Sequence, residues 1–182
     1  MKIDDDHLYH GAALNQIAED PHFTAINVLT AGGTRLGNAY RINDDIGVHL
    51  KYASNPVGAA REYKFTFTAD HLDELDKIRA YVSKTFAALV CVNDRHVCCL
   101  SIEQLDELIQ RRRKSVGGEE DQYVVLVNLP EGKSFRAYVS VPGHRGQMLG
   151  RPLIIARNCF PGILFDGSRK IRVRPLLLVD RV

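Results

Sequence analysis

A chain of 182 residues that is 45% hydrophobic and 25% charged has the size and composition of one globular domain around a packed core, which excludes disordered and fibrous classes. Its net charge of +2 does not by itself mark a nucleic-acid binder. The longest apolar runs, residues 86–92 and 175–179, fall well short of the ~20 residues of a membrane-spanning helix.

The first residues, Met-Lys-Ile-Asp-Asp-Asp, are acidic and lack the apolar core of a secretory leader, so a cytoplasmic protein is expected. Residues 7–19 carry Leu8, Ala12, Leu14, Ile17 and Ala18 at helical spacing, and Asp20-Pro21 stops that helix. Gly32-Gly33 opens a glycine-rich stretch without the Gly-Lys-Ser/Thr ending of a phosphate loop, and it reads as a turn. From Asn38 the period changes to two. Residues 39–42, 48–52 and 63–67 are three consecutive strands joined at Asn43-Asp44-Asp45 and at residues 54–58, which predicts a meander.

Thr68 or Asp70 caps a helix bearing Leu72, Leu75, Ile78 and Val82 on one stripe. The apolar run at 86–92 then reads as a strand buried on both faces and parallel to an earlier one. Residues 96–100 form another strand, and Ser101-Ile102-Glu103-Gln104 has the form of a capping box for a helix ending near Gly117-Gly118. Strands at 123–129 and 135–141 flank Pro130-Glu131-Gly132-Lys133 as a hairpin. The expected fold is α/β (α+β) with a mixed sheet. An α-β-β-β-α-β core over residues 7–92 is followed by a β-α-β-β extension over 93–182, in a single domain.

The four cysteines, Cys91, Cys98, Cys99 and Cys159, lie in or beside apolar segments without Cys-x-x-Cys spacing and read as buried free thiols. Cys98 and Cys99 must point to opposite faces of their strand. Late cations cluster at Arg112 and Arg113 and at Lys170, Arg172 and Arg174. They serve either as a helix-end dipole partner and solvated tail or as phosphate-contacting residues.

Alternation places Asp45, Gly47, His49 and Lys51 on one face of the second strand, and Glu62, Lys64 and Thr66 on one face of the third. Carboxylates with a nearby lysine can hold Mg²⁺ and stabilise an attacking water, the combination that phosphodiester hydrolysis needs. The same Glu-x-Lys is also the pattern of a solvated charge row on a strand. His49, with an ordinary pKa near neutrality, is a candidate base. His7 and His10 share a helix face and stand either at the surface or beside a site.

With Glu62-Tyr63-Lys64 on the third predicted strand, residues 7–92 resemble the PD-(D/E)xK nuclease superfamily, whose core is helix, three strands, helix, strand. The resemblance implies Asp45 or Asp44 as the strand-two metal ligand, Glu62 as a second ligand, Lys64 as the catalytic lysine, Mg²⁺ as cofactor and nucleic acid as substrate. The alternative is a non-catalytic accessory module that binds nucleic acid or a protein partner, or pairs with itself.

Overall fold

A computed structural model describes residues 2–144 and 146–166. Its three long helices each begin where a side chain satisfies open amide groups. Helix α1 (Asp5–Ala18) starts at Asp4, whose carboxylate accepts the His7 N–H while the His7 ring accepts the Asp4 N–H. Strands β1 (Ile26–Ala31), β2 (Thr34–Ile42), β3 (Ile46–Ala53) and β4 (Glu62–Thr68) come next. Helix α2 (Ala69–Tyr81) repeats the device with Thr68 and His71. After β5 (Lys84–Cys91) and β6 (His96–Ser101), Ser101 and Gln104 form the expected capping box of α3 (Ile102–Val116). That helix ends at Gly117 in the left-handed region, where glycine carries no Cβ penalty. Strands β7 (Gln122–Asn128), β8 (Phe135–Tyr138) and β9 (Leu153–Ile155) and a short helix, α4 (Gly162–Phe165), complete the described chain.

The strands form two sheets. The first is mixed, in the order β1-β2-β3-β5-β6, and the second is antiparallel, in the order β4-β7-β8-β9. The fold is therefore α+β with a mixed sheet. Strand β3 runs parallel to β5 over its whole length, as expected for the strand after the helix. Strands β7 and β8 pair antiparallel, as the hairpin reading required.

The meander is composed differently from the sequence reading. Its members are β1, β2 and β3, whereas β4 leaves the sheet to pair with β7 from Glu62–Asn128 to Thr68–Gln122. Strand β1 is an edge strand with little buried surface, so its sequence carries almost no core signal. Gly32 and Gly33, with φ of 58° and 80°, make the two-residue turn between β1 and β2.

The first sheet is covered on both faces. Val48 and Leu50 face α1 in a core shared with Ile17, Ala88 and Cys99, while Ala39, Ala87, Leu89 and Cys98 face a larger core with α2, α3 and the second sheet. Cys98 and Cys99 thus do lie on opposite faces, and all four cysteines are free. Among the described residues no helix is long and apolar enough to cross a membrane.

Gly47 explains how α2 comes so close to β3. A Cβ at that position would stand 2.3 Å from Ile78 Cγ2 and 3.0 Å from Val82 Cγ2. Gly47→Ala is expected to lower stability by about 1–3 kcal/mol through overpacking. Urea unfolding measures this, and an unchanged midpoint would contradict the close packing of α2 on β3.

Candidate functional site

The side chains expected to share one metal site are dispersed. Asp45 precedes β3 and holds the starts of β3 and β5 together: its carbonyl accepts from the Ser83 and Lys84 amides at 3.0 and 3.1 Å, and the Ser83 hydroxyl lies 3.3 Å from its carboxylate. Glu62 begins β4, beyond the far end of β3. The eight residues of β3 span roughly 26 Å of strand. Glu62 is buried on the face of the second sheet away from the shared core, where it accepts the hydrogen bond of the Tyr138 hydroxyl. Lys64, on the same face of β4, is exposed. The turn-borne carboxylate and the Glu-x-Lys strand therefore belong to different places because β4 departs from the first sheet.

The helix-end cations are similarly engaged. Arg112 clamps Glu120 through two hydrogen bonds of 2.6 and 2.7 Å and donates to the Ser140 carbonyl at 2.8 Å. Arg113 donates to the Tyr123 hydroxyl at 3.1 Å and pairs with Glu119 at 2.9 Å. The left-handed turn at Gly117 brings the acidic Glu119-Glu120 back against the helix end, so both arginines fasten α3 to the turn and strand β7 beyond it. Lys170, Arg172 and Arg174 lie outside the described residues.

His49 lies on the face its strand alternation implied, but that face is covered. The row Gly47, His49, Lys51 faces the larger core and α2 instead of solvent, and His49 is only 1% exposed. Its ring centroid is 5.9 Å from that of His71, its Nδ1 is 4.0 Å from the Glu74 carboxylate, and neither ring nitrogen has a hydrogen-bond partner. Burial, reinforced by Lys51, His71 and His10, pushes the His49 pKa down to about 3.

Lys51 stands at the open side of this cluster. Its ammonium is 3.5 Å from both ring nitrogens of His71 and 5.4 Å from the centre of the Phe67 ring. Burial lowers its pKa, against the opposing pull of Glu74 and Asp6. His71 is held by its own helix: the Thr68 N–H donates to His71 Nδ1 at 3.1 Å. In the neutral ring the proton therefore belongs to Nε2. Burial and Lys51 keep its pKa low. His10 reaches in from α1, 3% exposed and with no partner for its Nε2. Burial again lowers its pKa. The other histidine of that helix, His7, is spent in the α1 cap.

Lys51, His10, His71, Asn38, Asp6 and Lys64 line an open cleft of about 360 Å³ between α1, β3, β4 and α2. Sequence reasoning found His49 as a candidate and placed Lys51 on its face, but did not find Asn38 or His71. The signal for His71 was its place three residues after the capping Thr68. The cleft offers the half-buried ammonium of Lys51, the exposed one of Lys64, neutral imidazoles and an amide, beside the carboxylate of Asp6. This is a donor set for an oxyanion.

Mg²⁺ needs near-octahedral oxygen ligation, which imidazole nitrogens and an ammonium do not supply. Among the described residues no group of three or more His, Cys, Asp or Glu side chains is arranged to hold a metal ion. Comparisons of the chain with protein-family models, with curated proteins and with solved structures find no match.

Two of these buried groups bear on stability. Glu62→Ala leaves the buried Tyr138 hydroxyl without its acceptor and is expected to cost about 1–3 kcal/mol in thermal or urea unfolding. A wild-type midpoint in this variant would show that the pair is not a structural one. His49 stays neutral in the fold down to about pH 3, against an ordinary value of 6.5. The unfolded chain binds the additional proton in between, so stability is full above the ordinary value and falls as the pH drops towards 3. The loss reaches about 2 kcal/mol by roughly pH 5. Urea midpoints measured at neutral pH and at that acidic pH should differ by correspondingly less in His49→Leu. An equal pH dependence in both proteins would exclude His49 as the titrating group.

Proposed function

We propose that this chain is a nuclease-like domain that binds nucleic-acid phosphodiesters at the cleft between α1, β3 and α2, with Lys51 as the phosphate-contacting cation and without Mg²⁺. The observation that carries the reading is the position of Lys51. It is the ammonium on the third strand of the first sheet, lining an open cleft beside the Nε2–H of His71 and the amide of Asn38.

The topology supports the nuclease resemblance with altered membership. The order α1, β1, β2, β3, α2, β5 follows the helix, three strands, helix, strand scheme, with β4 as an additional strand between β3 and α2. Counted this way, the third strand is β3. The tripeptide at the Glu-x-Lys place is then His49-Leu50-Lys51 instead of Glu62-Tyr63-Lys64. On the second strand, the residue lining the cleft is Asn38, an amide where the superfamily pattern has a carboxylate.

The lysine of the pattern is kept, while its acids are replaced by a histidine and an asparagine. Such a site retains a cation for a phosphate oxygen and lacks the carboxylates that would hold a metal-activated water. It therefore favours binding over hydrolysis. A buried histidine with a pKa near 3 is also too weak a base for proton abstraction at neutral pH.

Fluorescence anisotropy with a labelled oligonucleotide at low salt tests this. Expected are saturable binding that weakens as salt rises and a loss of about tenfold or more in Lys51→Met, from removal of a charged hydrogen bond. Methionine keeps an unbranched stem against Phe67, which separates loss of charge from loss of packing. Mg²⁺ should give no tighter binding than EDTA, since it acts only as a competing counterion. Absence of binding, or wild-type affinity in Lys51→Met, would overturn the reading. Cleavage or tighter binding that requires Mg²⁺ would overturn its metal-free part.

A further inference from the structure

A recess of about 440 Å³ shares no lining residue with the Lys51 cleft. It lies where the β3–β4 connection at Arg61, the β5–β6 turn at Asp94, the β7–β8 connection at Pro130-Glu131 and the chain just beyond β9 come together. Packing fixes this corner. The His96 ring, at the start of β6, meets the Phe135 ring of β8 edge-on at 6.3 Å, and Phe135 pairs with Ile155, two residues before Arg157.

Arg157 is half-buried and held from one side. Its Nε and Nη2 donate to the Lys133 and Pro130 carbonyls, each at 3.0 Å. Both acceptors are neutral, and no carboxylate pairs with this guanidinium among the described residues. Its end-on edge, Nη1 with the second proton of Nη2, has no protein acceptor. That edge is the fork that a carboxylate engages through two parallel hydrogen bonds.

Two other groups lining the recess are unpaired acceptors. His96 Nδ1 lies 2.6 Å from the Asp94 carbonyl, which can only accept, so in the neutral ring the proton is on Nδ1 and Nε2 keeps its lone pair. The carboxylate of Asp94 is 3.6 Å from Arg61, whereas that of Glu131 has no ion-pair partner among the described residues.

We infer that this recess binds a small zwitterion, a free amino acid, with its carboxylate in the Arg157 fork and its ammonium towards His96 Nε2 and Glu131. A simple anion would satisfy Arg157 but meet an unpaired acid and a bare imidazole nitrogen. A ligand of both signs answers all three groups. Ala59, Ala60 and Leu129 supply an apolar wall for its side chain, and the volume lies in the range of small-ligand sites.

Calorimetric titration of L-leucine into the full chain tests this, beside isocaproate, which lacks the amino group, and isoamylamine, which lacks the carboxylate. Leucine is expected to bind saturably, in the millimolar range or tighter. Isoamylamine should bind about tenfold or more weaker, for want of a charged hydrogen bond. Isocaproate should bind about threefold or more weaker, for want of an exposed ion pair. Arg157→Met should weaken leucine about tenfold or more. Glu131→Gln alters only an exposed side chain and should weaken it about threefold.

Absence of saturable leucine binding, or wild-type affinity in Arg157→Met, would overturn the site. Isocaproate binding as tightly as leucine, or wild-type affinity in Glu131→Gln, would overturn the zwitterion. Should Arg157→Met fail to fold, the two analogues and Glu131→Gln decide.

Discussion

Strand β3 is covered on both faces, and most of the structure depends on that. On one face Val48 and Leu50 meet α1, and on the other Gly47 admits α2 while His49 and Lys51 run along the boundary of the larger core. A strand in this position cannot carry a solvated polar row. Each polar group on it must be satisfied, neutralised or turned towards an opening. His49 is neutralised by burial, and Lys51, two residues further on, reaches the cleft. The cluster is therefore fixed by packing in its depth and opens to the cleft at Lys51.

Much of the architecture was legible in the residues. The helix starts at Thr68 and Ser101, the parallel strand read at 86–92 and the opposed cysteines all arise from local chemistry, and each is found in the fold, whereas the glycine-rich stretch 32–37 read as a turn is one only at Gly32-Gly33 and enters β2 at Thr34. Period-two alternation could not convey which sheet a strand joins. The segment 63–67 has the pattern of a third meander strand, yet its partner, β7, lies more than fifty residues later. Strand β1, exposed along most of its length, offered no alternation to read.

The site was legible only in part for the same reason. His49 was visible as a titratable residue within an apolar strand, and its row was correctly separated from that of Val48 and Leu50. The error lay in the cover of that row, which is set by α2 and therefore by Gly47, a residue whose only message is the absence of a side chain. Arg112 and Arg113 look like free cations at a helix end until Gly117 turns Glu119 and Glu120 back onto them. Charge clusters in sequence acquire meaning only after the turns between them are known.

His71 belongs to two structures at once. The ring that faces Lys51 also completes the cap of α2, because its Nδ1 accepts the Thr68 N–H. An imidazolium has no lone pair to offer that amide. Protonation of His71 would therefore cost the Thr68 N–H its acceptor and leave the Thr68 hydroxyl, 3.0 Å from Nδ1, as the tie between ring and cap. One ring thus ties the protonation of the cleft to the start of α2.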